Sequence, residues 1–302
     1  MYLIKDVMFK LLLILFIVNL PLSGQKLEPR LLTNIPVGTN FLLAGYGYST
    51  GNTLLDPAVP IEDLNSRLHA LYIAYVRAIN LFGLAGKVDV IIPYAAGEWS
   101  GKYMGADSST ARNGFGDPLF RISVNFVGAP ALGLKEFSTY KQETIVGASV
   151  QVSAPWGQYF PDRLINLGSN RWMVRSQLGI SHHTGDWFLE GYVGIWLFTI
   201  NNDFWGGNIL EQKPLYAIKG HAIHTFPSGM WIDLGVAYGT GGRSYVNDLR
   251  SETYLSTFLF GTDFVLPIGQ QHSLRLTLLT SARLEHGADI NVISLGYRYL
   301  WW

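Results

Sequence analysis

Phe188, Glu190, Tyr192, Trp196 and Phe198 occupy alternate positions of one segment, Trp187 to Ile200. If that segment is extended, successive side chains point to opposite sides and these five share a face. Aromatic rings around a carboxylate suit an apolar or aromatic guest, because the rings bury area and the few polar groups orient it. The same rings can pack instead against another part of the chain, either residues 25–39 or a loop folded inward. Both readings stand on the sequence. A second set of groups is ionic: Lys87, Asp89, Asp117, Arg121, Arg175, Lys219 and Arg275. Both signs occur in it, whereas a selective ion pore concentrates one sign. Mixed charges on inward faces read first as ion pairs that cross-link an interior, and second as contacts to a solute. These residues together are the candidate lumen or solute-lining set.

Other chemistries find little support. Gly239-Thr-Gly-Gly242 and Gly206-Gly207 lack the Lys-Ser/Thr of a phosphate-binding loop, so they read as loop glycines. His182-His183 flanks a tight turn, and His221 and His224, three apart, fall on opposite faces of a strand. Neither makes a metal site, and no Asp-x-Asp-x-Asp calcium loop is present. Cysteine is absent, which removes thiolate ligands and nucleophiles. The formal charge is zero, which gives no footing for nucleic acid. No catalytic residue, metal or cofactor is expected. A lipid-modifying enzyme would need Ser and His on adjacent strands near the outer leaflet. Most of the histidines here lie beside turns (His182, His183, His286), in the wrong half of the barrel, or inside it.

The elements that must position the candidate residues are strands. Asp117 to Val127 alternates cleanly: Pro118, Phe120, Ile122, Val124 and Phe126 against Asp117, Arg121, Ser123 and Asn125, with Leu119 the exception. About a dozen such stretches follow one another: 40–48, 67–79, 84–99, 115–127, 143–154, 171–182, 187–200, 213–226, 230–240, 253–266, 273–282 and 289–302. Connections after odd strands are long and rich in Gly, Asn, Asp and Ser (49–66, 100–114, 155–170, 201–212, 241–252). Those after even strands are tight, except 128–142, where a helical turn fits. This alternation describes an all-β, antiparallel up-and-down transmembrane barrel of about twelve strands with its short turns in the periplasm.

Composition agrees. Only 15% of residues are charged while 48% are apolar, against roughly a quarter charged in soluble domains. No apolar run after the N-terminus is long enough for a membrane helix. A soluble β-sandwich remains the alternative. Apolar faces expected toward lipid include Val88, Val90 and Ile92, Val146 to Val152, Val193 to Leu197, and Leu274 to Leu278. Their wet partners include Glu143, Gln151, Gln177 and His221. Strand 253–266 is ambiguous, since Asp263 shares a face with Leu255 and Leu259. Tyr94, Trp99, Trp172, Trp187, Tyr216, Trp231, Tyr297 and Tyr299 fall near strand ends, where aromatic girdles form. Residues 1–24 read as a cleaved signal peptide, with Leu11 to Leu20 as its apolar run. Residues 25–39 then form a periplasmic or plug-forming segment, and 40–302 the barrel. The terminal Tyr297-Arg-Tyr-Leu-Trp-Trp302 suits recognition by the barrel-assembly machinery. The expected location is the bacterial outer membrane, with outer-membrane lipid as a partner.

Several local motifs, in this order, resemble one family: outer-membrane barrels assigned to the MetA pathway of phenol degradation. They are Asn34-Ile-Pro-Val-Gly-Thr-Asn40, Leu55-Asp-Pro57 with Pro60-Ile-Glu-Asp63, Lys87-Val-Asp89 with Pro93-Tyr94, and Gly114-Phe-Gly-Asp-Pro118 with Arg121. Ser153-Ala-Pro155 with Gly157-Gln-Tyr159, Leu164-Ile-Asn166 with Gly168, and Asn170-Arg-Trp172 complete them. The resemblance implies a barrel and a role in moving small hydrophobic or aromatic solutes. A non-transporting structural barrel and a lipid-modifying enzyme are the alternatives.

Overall fold

The computed structural model of the chain describes residues 27–52, 61–250, 254–283 and 289–302. The expected signal peptide and its cleavage point lie outside these residues, as do His286 and the Leu55-Asp-Pro57 motif. In chain order the strands are β1 (Asn40–Asn52), β2 (Glu62–Leu81), β3 (Leu84–Tyr103), β4 (Ala106–Phe115), β5 (Leu119–Val127), β6 (Thr144–Ser153), β7 (Met173–Thr184) and β8 (Trp187–Phe198). They continue with β9 (Asn201–Phe204), β10 (Asn208–Gln212), β11 (Leu215–Thr225), β12 (Trp231–Gly241), β13 (Ser244–Val246), β14 (Leu249–Arg250), β15 (Leu255–Ile268), β16 (His272–Arg283) and β17 (Asp289–Trp301). A single turn of helix, α1 (Leu134–Phe137), interrupts them.

Twelve of these strands close a barrel, because β1 pairs with β17 along its full length as well as with β2. Every neighbouring pair is antiparallel, and closure leaves no unpaired sheet edge to face hydrocarbon. The five remaining strands belong to the long-loop end. β4 prolongs β5 upward against β3, and β9, β10, β13 and β14 form a small separate sheet there.

The short-turn end is built by turn chemistry. Phe82 and Gly83, between β2 and β3, both have positive φ, the requirement of a two-residue type I′ hairpin. Met104 and Gly105, also both positive, do the same between β3 and β4. That second hairpin corrects the sequence reading. Residues 100–114 were expected as an open loop, but their polar side chains stand above the lipid, so pairing with β3 continues without an apolar face to mark it.

Alternation holds on every barrel strand. Outside stand Ile92, Ile122, Val150, Val193 and Leu278; inside, buried, stand Lys87, Asp89, Arg121, Arg175, Lys219 and Arg275. The ambiguous strand resolves with Asp263, Leu255 and Leu259 all inward. Three expectations change. Trp99 and Trp231 are no girdle residues but point inward and are buried, and Glu143 is exposed just before β6. Trp99 packs with Ile165 and Leu167 of a long loop, and Trp231 lies beneath Arg30. Other rings do stand at the rims: Tyr94 edge-on to Phe115 above, and the stacked Tyr297, His272, Tyr299 and Trp301 below.

Candidate functional site in the barrel interior

Residues 27–36 are buried throughout, and they lie inside the barrel. Leaving β1 toward the N-terminus, the chain is first pinned at the short-turn end. The Gly38 amide donates to the Ala78 carbonyl, and the Val37 amide to the Leu132 carbonyl. The Asn34 side chain donates to the Pro130 carbonyl. The long connection carrying α1 is thereby explained, since its start lies against the outgoing chain. From there the segment turns inward and meets the walls.

Strand register prepares those walls. Asp89, Arg121, Gln151, Arg175 and Trp196 stand directly opposite one another across β3, β5, β6, β7 and β8, forming one inward tier. Facing residues on adjacent antiparallel strands lie within about 5.5 Å, so opposite charges in register attract. Arg121 Nε donates to Asp89 Oδ2 at 2.8 Å, and Arg175 Nη2 to the side-chain amide oxygen Oε1 of Gln151 at 2.8 Å.

Into this tier the segment inserts Glu28. Its Oε1 accepts from Arg175 Nη2 at 2.7 Å and Arg121 Nη1 at 3.3 Å, and its Oε2 from Lys219 Nζ at 3.3 Å. Burial by itself pushes the Glu28 carboxyl upward. Arg175, Lys219 and Arg121 overcome this and hold it well below the usual carboxylate range.

One turn on, the segment's backbone becomes the ligand. The Arg30 amide donates to Glu190 Oε2 at 2.7 Å, and Ser181 and Tyr192 hydroxyls complete that carboxylate at 2.9 and 2.8 Å. Lys87 Nζ donates to the Leu31 and Thr33 carbonyls, and Asn125 Nδ2 to the Leu32 carbonyl at 2.7 Å. The Arg30 guanidinium lies 4.0 Å from the Phe188 ring centre and 5.7 Å from that of Trp231. Leu31, Leu32 and Ile35 share a buried cluster with Phe188, Tyr192 and Trp231. Inward glycines make room for the leucines: a Cβ on Gly147 or Gly261 would lie 2.8 or 2.7 Å from a methyl of Leu32 or Leu27.

Of the candidate set, Lys87, Arg121, Arg175, Lys219, Phe188, Glu190 and Tyr192 contact the segment, and Asp89 supports Arg121. Trp196 stands in the same tier as Arg175, packed among Leu215, Ala217 and Leu255, with Phe198 partly buried under Arg171. Asp117 and Arg275 lie elsewhere. Asp117, in the break between β4 and β5, accepts from the Gly157 and Ser169 amides and the Ser169 hydroxyl, tying down the 154–172 loop. Burial raises its carboxyl above the ordinary value. Arg275 grips Asp263 through two nitrogens on β15 and β16. Sequence reasoning missed Glu28, Arg30 and Asn125. The only signal for Glu28 and Arg30 was two charges placed among Leu27, Leu31, Leu32 and Ile35, and Asn125 stood on the polar face of its strand without being singled out.

A closed antiparallel barrel with an apolar outer band, aromatic rims and a polar, packed interior is an outer-membrane β-barrel, and the bacterial outer membrane is where this protein resides. The chain belongs to the family described as "Putative MetA-pathway of phenol degradation", which matches residues 47–262. An outer membrane channel from Pseudomonas putida F1 has a similar fold, with TM-score 0.75 over 91% of this chain and 100% of that one, at 20% identity. The transport unit of the autotransporter AIDA-I from Escherichia coli matches at TM-score 0.52 over 98% of this chain and 97% of its own, at 12% identity. At these identities the likeness is one of fold. Among curated proteins, no relative was found by sequence.

Proposed function

We propose that this protein is a channel for small hydrophobic or aromatic solutes, and that residues 25–39 act as a plug that must shift before solute passes. The carrying observation is that the segment sits on the rings that suit such a solute, Phe188 and Tyr192, while polar groups hold its backbone. A seat held largely by hydrogen bonds and ion pairs can be exchanged for water and solute more readily than a fused apolar core. The matched channel from Pseudomonas putida F1 and the family membership support the reading, which assigns no catalytic residue. Trp302, the residue that follows the closing strand β17, is read as the contact for the assembly machinery, and residues 1–24 as a leader removed on export.

Liposome swelling tests the proposal. Refolded protein should admit a benzoate-like aromatic faster than a sugar of similar size, and Tyr192→Ala with Trp196→Ala should reduce that preference. Equal rates for aromatic and sugar would mark a general pore, and no swelling by either would overturn the channel in favour of a plugged binder, a structural barrel or an enzyme.

A further inference from the structure

The geometry points to the Glu28 seat as a carboxylate-binding site, whose solute is an aromatic monocarboxylate and whose internal stand-in is the plug's own side chain. This rests on the channel reading above and deepens it. Three cationic groups from three strands, Arg121 on β5, Arg175 on β7 and Lys219 on β11, converge on two carboxylate oxygens. The division of labour is specific to a two-oxygen anion: both arginines take Oε1 and the lysine takes Oε2. Each arginine gives the carboxylate one N–H, Arg121 through Nη1 and Arg175 through Nη2, and such charge-assisted hydrogen bonds are about twice as strong as neutral ones.

The surroundings fit the rest of the solute. The Tyr192 ring centre lies 5.9 Å from Lys219 Nζ, and that of Trp196 lies 5.8 Å from the Arg175 guanidinium. A flat apolar body attached to the carboxylate therefore meets aromatic walls. The seat also keeps donors that Glu28 does not use. Arg175 Nε and Nη1, and the Gln177 amide, are buried without a hydrogen-bond partner among the described residues. When the segment moves, Asp89 still neutralises Arg121, but Arg175 is left beside only the neutral Gln151 and Trp196 side chains, with no carboxylate paired to it among the described residues. Buried charge left uncompensated draws in an anion.

Full-length Glu28→Ala and Glu28→Gln supply the test, each confirmed as folded by its heat-modifiable migration. Thermal unfolding in detergent is followed with benzoate and with benzyl alcohol, its uncharged analogue. Benzoate should raise the unfolding temperature of Glu28→Ala by several degrees and that of the native chain by much less. Benzyl alcohol should do neither, and adding Arg175→Gln to Glu28→Ala should abolish the benzoate effect. Equal responses to benzoate and benzyl alcohol in both Glu28 variants would overturn the site. Glu28→Gln keeps the question open to measurement should the alanine variant fail to fold. The two readings separate cleanly: benzoate-specific stabilisation without swelling would uphold the seat and sink the channel, and swelling without charge preference would do the reverse.

Discussion

Glu28 illustrates how an ionisable group can be buried in a protein interior without becoming neutral. Its desolvation is offset by three cations, so removing one should be costly. Breaking a buried ion pair typically costs about 3–5 kcal/mol, because the remaining charge stays buried. Arg175→Gln should therefore loosen the segment and raise single-channel conductance in planar bilayers. Unchanged conductance with an intact barrel would show that Arg175 does not hold the plug. The pH dependence follows from the same site. Because the folded carboxyl lies below its ordinary value of 4.5, it contributes its full stabilisation above about that pH and loses it progressively below. Conductance of the native protein should rise on acidification from pH 6 toward pH 3, while Glu28→Gln should be open already and respond less. A flat native profile would contradict this role.

The strands make two predictions of opposite kind. On the inner face of β7, Gly179 lies under the Tyr192 ring, and a Cβ there would stand 3.2 Å from Leu32 and 2.2 Å from that ring. Gly179→Val should push the ring and the segment out of register, exposing Arg30 to trypsin while the barrel still migrates as folded. Protection of Arg30 equal to the native chain would refute it. On the outer face of β5, Ile122 is exposed toward lipid. Ile122→Arg should destabilise the barrel by roughly 2–4 kcal/mol if it lies near the bilayer midplane, measured by urea unfolding in vesicles. Ser123→Ala, one position along but inward, should change little.

The whole molecule shows why a barrel of this size needs an occupant. An eight-stranded barrel is filled by its own side chains and a porin leaves a channel, so twelve strands enclose an intermediate space. Here the chain's own N-terminal segment takes part of it, and much of the inward polar surface is spent on holding that segment. Strand number, inward faces and long-versus-short connections were legible because alternation and turn chemistry are local: Phe120, Ile122 and Val124 declare a lipid face within one strand, and closure merely collects such strands. Trp99 and Trp231 misled because their positions near strand ends suit a girdle, and only the segment and loops packed against them show which way they face. The Glu28 seat was beyond reach for a related reason. Its partners lie 93, 147 and 191 residues away along the chain, and they meet through register summed across several strand pairs. By itself the sequence determined a membrane barrel with a polar interior. The tertiary structure alone decided what fills that interior, because convergence of distant charges depends on register and on the path of a segment with no periodicity of its own.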